Sequence, residues 1–236
     1  MLENSQAKSS NKIRIITNVL KTALKLWLRS QVSSVSQLEV EIQASDRQLL
    51  SGRIPEVSIF ASHAIYQGLH LTKVQLKAEN IRINIGALLK GQPLRLLETV
   101  PVFGQVILNQ EDLNSSVSSE LLSTALNDLL VQLLPEDSTN SKLTAWQKIS
   151  LVKNKLIVTG IQASPTNPAT IEMGVCLELL SPHELQLSQI QIKHNGTILV
   201  DGDSDRYFDL GSDVDIQQLT LNPDELVCCG RINVNP

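Results

Sequence analysis

The chain is 236 residues long, which fits one large domain or one domain with an N-terminal appendage. Apolar residues make up 42% of it, enough for a sizeable core, but aromatic residues only 3%, so that core must be built from Leu, Ile and Val. So small an aromatic share argues against modules that bind by ring stacking, such as those for single-stranded nucleic acid.

The formal net charge of −4 is unevenly spread. Residues 1–38 hold Lys8, Lys12, Arg14, Lys21, Lys25 and Arg29 against one acid, Glu3, a balance of +5, and the remaining residues sum to −9. An acidic body is a poor partner for nucleic acid, whose affinity comes from neutralised phosphates. No apolar run is long enough to span a bilayer, and the polar start, followed by a stretch broken at Lys21 and Lys25, does not read as a secretory signal. The expected setting is the cytoplasm, at most peripherally on a membrane. Cys176, Cys228 and Cys229 are odd in number and lack metal or redox spacing, as expected of reduced structural thiols.

Residues 1–11 are polar and read as a disordered N-terminus, and 12–236 as a single domain: an amphipathic helix over 12–32, then a sheet with a central helix over 33–236. Between 12 and 29 there is no Gly or Pro, and at about 100° per residue Ile13, Ile16, Val19, Leu20, Ala23, Leu24 and Trp27 share a broad apolar arc. Arg14, Asn18, Lys21, Lys25 and Arg29 form a narrow stripe on the other side. A basic stripe, a wide apolar face and one Trp are the ingredients of an interfacial membrane anchor, so Arg14, Lys21, Lys25, Trp27 and Arg29 are candidate membrane contacts. The segment also reads as a helix packed on the domain with its stripe in water. The two readings are compatible if part of the arc packs and the rest touches lipid.

From residue 36 the apolar period is two: Leu38, Val40 and Ile42, then Val57 and Ile59, Leu69 and Leu71, Val74 and Leu76, and Ile81, Ile83 and Ile85. The phase slips between Leu71 and Val74 and again between Leu76 and Ile81, as β-bulges in one long, strongly curved strand would produce. Residues 86–108 read as a turn or short helix followed by an extended stretch from 102. Asn109 with Asp112 reads as a helix cap. After Ser118, the run Leu121, Leu122, Ala125, Leu126, Leu129, Leu130, Leu133 and Leu134 predicts a helix ended by Pro135. So apolar a helix needs cover on most sides, which places it in the concavity of a sheet. Residues 135–142 read as a surface loop.

The last third is β again. Ile149 and Leu151 lead through Lys153-Asn154 to Leu156 and Val158, and Ile171 to Leu179 alternate strictly. Leu185 to Ile192 run into His194-Asn195-Gly196, where Asn-Gly is the strongest short hairpin signal, and strands follow around 197–200, 216–221 and 227–234. About ten strands with hairpin links and two helices make a mainly antiparallel α+β domain.

Catalytic signatures fail on inspection. His183-Glu184 has Leu187 where a zinc-protease helix needs its second ligand, and Gly202 to Arg206 lacks the closing glycine of a nucleophile elbow. No phosphate-binding loop or dinucleotide fingerprint is present. Asp201, Asp203, Asp205 and Asp209 have calcium-loop spacing, but Arg206 stands where that loop needs glycine and Ser212 where it needs glutamate, so a solvated loop is the better reading. The expectation is a protein without catalysis, metal or cofactor.

Between residues 68 and 109 the text becomes specific. Gly68-Leu69-His70-Leu71, Glu79 to Asn84, Leu89 to Leu94 and Pro101-Val102-Phe103-Gly104, with Glu111 to Asn114 and Trp27 to Val32, resemble the LmeA-like phospholipid-binding family. The resemblance runs over roughly 12–235, most densely over 35–135. It implies a bacterial lipid-binding domain similar to tubular lipid-binding folds, a long curved antiparallel sheet wrapped around the leucine-rich helix. On that reading Leu122, Leu126, Leu129 and Leu133 are the candidate wall for acyl chains, which need only apolar surface and contribute about 0.8 kcal/mol per buried CH₂. The expected function is non-enzymatic binding of phospholipid or a similar acyl lipid, with peripheral attachment through the basic helix. The competing reading is the same fold with a packed core, acting as a protein-interaction module whose partner the sequence does not name.

Overall fold

The computed structural model describes residues 18–88, 90–134, 144–162, 168–202 and 205–236. It opens with helix α1, residues 18–31, followed by β1 (Ser34–Gln43), α2 (Asp46–Leu50), β2 (Arg53–Tyr66), β3 (Leu69–Arg82) and the single turn α3 (Ile85–Leu88). Next come β4 (Val100–Asn109), α4 (Gln110–Ser116) and α5 (Glu120–Leu133). The remainder is strand: β5 (Thr144–Val152), β6 (Lys155–Gln162), β7 (Ala169–Ser181), β8 (Glu184–His194), β9 (Thr197–Gly202), β10 (Arg206–Asp209), β11 (Val214–Asn222) and β12 (Glu225–Val234). The expected disordered stretch 1–11 and the loop 135–142 lie outside the described residues.

The fold is α+β, with every strand pair antiparallel. The strands form two six-stranded sheets rather than one long one. The first has the order β1-β2-β3-β4-β12-β11; the second runs β5-β6-β7-β8, with β10 on the first half of β8 and β9 on its second half. Neither order returns to its start, so both sheets are open. Chain order explains the split. The leucine helix interrupts the strands after β4, and β12 returns to pair with β4, with β11 beyond it, instead of extending the second sheet.

Local signals explain most element ends. The Asn109 side chain accepts the Asp112 N–H at 2.7 Å, capping α4 as expected. The cap of α5 is Ser119 rather than Ser118, its hydroxyl accepting from Leu122 N–H at 3.2 Å. The β5–β6 and β8–β9 hairpins turn at Asn154 (φ 59°) and at Asn195-Gly196 (φ 50° and 78°), where short polar or absent side chains tolerate left-handed backbone.

The two phase slips have a different cause from the one expected. Pairing of β2 with β3 keeps one register throughout: Arg53 faces Arg82, Glu56 faces Glu79, Ser62 faces Lys73 and Tyr66 faces Leu69. No residue is inserted. Instead Asn80 (φ 55°), between Leu76 and Ile81 on β3, adopts left-handed backbone, and so does His63 (φ 47°) on β2, across from the Leu71–Val74 slip; each turns the following side chain of its own strand back to the inner face. Ala61 and Ala64 are therefore both buried, as are Ala78 and Ile81, three apart in each case.

The apolar interior falls into two clusters. The larger lies between α4, α5 and the second sheet, and includes Leu126, Leu130, Leu133, Trp146, Val158, Ile171, Met173, Val175 and Ile192. The smaller joins α1 and α2 to one end of the first sheet through Leu20, Leu49, Val40, Val57 and Ile81. Helix α5 is covered on one side, not on most sides: Leu121 and Val131 face solvent.

Helix α4 joins the sheets. β3 pairs with β4 only from Lys73 to Ala78; before that, the Ser116 hydroxyl accepts from His70 N–H at 2.7 Å and Thr72 Oγ1 accepts from Asn109 N–H at 2.8 Å and donates to the Asp112 carboxylate. On its other side α4 serves the open edge of β5. Gln110 Oε1 accepts from Leu151 N–H at 2.8 Å, its amide donates to the Ile149 carbonyl, and Asn114 Oδ1 accepts from Ile149 N–H at 2.8 Å. Two amide side chains thus replace a missing strand. Replacing Gln110 by Ala leaves a part-buried donor and acceptor of β5 unpaired, so urea unfolding of that variant is expected to show a loss of about 1–3 kcal/mol.

Candidate functional site

Helix α1 presents three strips of surface, fixed by its turn of about 3.6 residues. Leu20, 1% exposed, is the keel in the smaller core, with Leu24 and Leu28 beside it. Val19, Ala23, Leu26 and Trp27 occupy one flank and Lys21, Lys25 and Arg29 the other. The apolar flank is largely uncovered: Leu26 is 62% and Trp27 47% exposed, and Val19 is exposed too.

Facing that flank is the chain after α3. Between them lies an open groove of about 840 Å³, lined by Val19, Ala23, Leu26 and Trp27 with Leu88, Pro93 and Leu94, and edged by Asn18, Thr22, Ser30, Gly91 and Gln92. The loop wall is held by backbone bonds, Gly91 N–H to the Leu88 carbonyl and Gln92 N–H to that of Ala87, and by the side chain of Asn84. Asn84 Nδ2 donates to the Pro93 carbonyl at 2.9 Å, and Asn84 Oδ1 accepts from Arg95 N–H at 2.8 Å. Gly91, at φ 79°, supplies the left-handed turn that brings Gln92 and Pro93 back toward the helix.

Along the α1 arc Leu20 and Leu24 pack in the smaller core, while Val19, Ala23 and Trp27 line the groove. Leu26 was not part of the expected apolar arc, and Gly91 to Leu94, although within a family motif, gave no sign of facing α1, because the loop comes into place only through tertiary contact. Lys21, Lys25 and Arg29 make no ion pair among the described residues, so their charges are available to an external anion. Arg14 lies outside the described residues.

The α5 leucines sit deeper. Leu126 and Leu133 are 5% and 4% exposed in the larger core, and Leu122 and Leu129 are half-buried against it. All four touch one apolar cluster, so the structure brings the expected quartet together on the sheet-facing side of the helix.

Elsewhere the surface suits a lipid phosphate less well. A trough of about 470 Å³ crosses the outer face of the first sheet, with Ile59, Phe60, Leu76 and Phe103 in its lining, but it also carries the acids Glu39 and Glu41. Its one cation, Lys77, is held by Glu56 at 2.9 Å and Glu79 at 3.0 Å. Among the described residues no cluster of His, Cys, Asp or Glu could hold a metal ion. In the aspartate-rich segment Asp203 lies outside the described residues, Asp201 and Asp205 accept from Gln191 and Gln186, and Asp209 accepts from Gly211 N–H. Cys228 and Cys229 point to opposite faces of β12, and burial pushes the Cys228 thiol above its ordinary pKa, away from nucleophilic use. No helix among the described residues is long and apolar enough to cross a membrane.

No curated protein and no solved structure matches the chain. A family model described as LmeA-like phospholipid-binding matches residues 12–231, which span α1, both sheets and the leucine helix. With nearly its whole length inside that match, the chain belongs to the LmeA-like phospholipid-binding family.

Proposed function

We propose that this protein binds phospholipid, or a similar acyl lipid, without catalysing a reaction on it, and that it meets an anionic membrane surface through α1. The observation that carries this reading is one helix with two flanks: a basic row, Lys21, Lys25 and Arg29, without an ion pair among the described residues, and an apolar groove lined by Leu26 and Trp27. With Leu20 turned into the domain, the opposite side of α1 faces outward. A helix held so, lying in the plane of the interface, dips Leu26, Val19 and Trp27 among the acyl chains while the three cations remain at phosphate level. Family membership supplies the lipid class, and the acidic body restricts the approach to this one surface. The negatively charged cytoplasmic leaflet is the matching membrane face.

In this reading the acyl chains continue inward between α5 and the second sheet, along Leu122, Leu126, Leu129 and Leu133. The two open sheets then act as halves of the tubular arrangement that the family resemblance implies. Because Leu126 and Leu133 are packed, entry requires α5 to move off the sheet. A protein purified with a clean mass and no lipid uptake in native mass spectrometry would favour the interaction module instead, with the uncovered Leu121 and Val131 as part of its docking face.

Two outcomes test the membrane contact. Each basic side chain near an anionic surface contributes about 1 kcal/mol, so Lys21→Glu/Lys25→Glu is expected to lower binding to anionic vesicles by more than roughly thirty-fold, an effect that fades as salt is raised. Trp27→Ala removes about 2 kcal/mol of interfacial burial, again roughly thirty-fold, and that loss is expected to be insensitive to salt. Vesicle co-sedimentation measures both; retention equal to wild type in either case refutes the α1 anchor.

A further inference from the structure

The core between α5 and the second sheet contains a polar defect. Thr144 and Trp146 stand two apart on β5, so both side chains lie on its inward face, and each is 4% exposed. Thr144 Oγ1 and Trp146 Nε1 are the buried side-chain polar atoms that have no hydrogen-bond partner among the described residues. Gly160 of β6 faces Trp146, and a Cβ there would come within 2.7 Å of Thr144 Cγ2 and 3.0 Å of Trp146 Cε3. The two side chains are therefore packed together over that glycine, beneath the leucines of α5. Buried polar groups in folded chains are almost always partnered, so two such orphans on one strand face mark a place whose partner is not among the described residues.

The chemistry of that partner is restricted. An indole N–H only donates and a threonine hydroxyl can donate as well, so each of the two side chains can take an acceptor oxygen, and a diacyl lipid carries two ester carbonyls. The acceptor must be uncharged, because the buried core holds no cation: its buried polar residues are Ser116 and Thr144. A carboxylate there would be stripped of water without a counter-ion. An ester carbonyl meets both conditions, whereas the carboxylate of a free fatty acid does not. On the helix side α5 makes its main backbone approach to β5, where a long 3.3 Å hydrogen bond from Thr144 N–H to Asn127 Oδ1 ties the two, so a lipid reaches the pair when α5 moves off the sheet.

We propose that Thr144 and Trp146 bind the ester carbonyl of an acyl lipid lodged between α5 and the second sheet, and so select esterified lipids over free fatty acids. This deepens the lipid-binding reading above and rests on it. The test compares a short-chain diester phosphatidylglycerol, presented as monomers, with its diether analogue, which lacks the carbonyls. Wild type is expected to bind the diester about tenfold more tightly, the worth of one net hydrogen bond. Thr144→Val, and Thr144→Val combined with Trp146→Phe, are expected to bind the two lipids alike. Their lipid-free denaturation midpoints are expected to be unchanged or raised, since an unpaired polar group has been removed. Equal binding of diester and diether by wild type overturns the proposal, as does a Thr144→Val variant that keeps the preference. A lowered midpoint with lipid preference intact identifies a trapped water as the partner. Absence of binding to either lipid by wild type refutes the lipid reading itself, and this assignment with it.

Discussion

The fold depends on how one short helix treats unpaired backbone. Where β3 outruns β4, and where β5 has no neighbour, α4 supplies the missing partners from side chains: Ser116 for His70, and Gln110 and Asn114 for Ile149 and Leu151. An exposed strand edge invites pairing with another chain, and an amide side chain can present the same donor and acceptor as a peptide unit. α4 thereby closes two edges at once and sets the spacing between the sheets. The contacts of β11 with the second sheet complete the joint, with Asn154 N–H donating to Leu221 and Ile216 N–H to Pro182.

Tying the sheets at that joint has a consequence for the interior. The apolar residues do not merge into one core but divide into a large cluster under α5 and a smaller one under α1. Each helix is held along a single stripe, α1 by Leu20 and its neighbours and α5 by Leu126, Leu130 and Leu133. Both keep apolar side chains uncovered, Leu26 and Trp27 on one and Leu121 and Val131 on the other. The uncovered surface of α1 faces a groove, and on β5, beneath α5, two buried polar atoms have no partner among the described residues. The proposed binding of an amphiphile, with an apolar tail and a few neutral oxygens, would use both features.

Much of this was legible in the sequence because it depends on neighbours in the chain. Asn109 capping α4, the left-handed turns at Asn154 and Asn195-Gly196, the period-two strands and the two faces of α1 are local patterns. The leucine quartet was legible for the same reason, since spacing along one helix sets which side chains share a side. The phase slips were visible, but their cause was not: an inserted residue and a left-handed His63 or Asn80 leave the same trace in the apolar pattern. The cap at Ser119 instead of Ser118 is a shift of one residue, within what capping rules distinguish.

By itself the sequence determined the α+β class, the aliphatic core, the basic first helix in an acidic chain and, through motifs spread over 12–231, the family. Tertiary structure decided the rest, because it rests on residues far apart in the chain. β12 pairing with β4 divided the strands into two sheets, and Gln110 and Asn114 found the edge of β5. Asn84 helped set Gly91 to Leu94 opposite α1, and packing over Gly160 left Thr144 and Trp146 buried, with Oγ1 and Nε1 lacking partners among the described residues. Periodicity states which side of a helix or strand is apolar. Only the assembled chain decides how much of that side is covered, and by what.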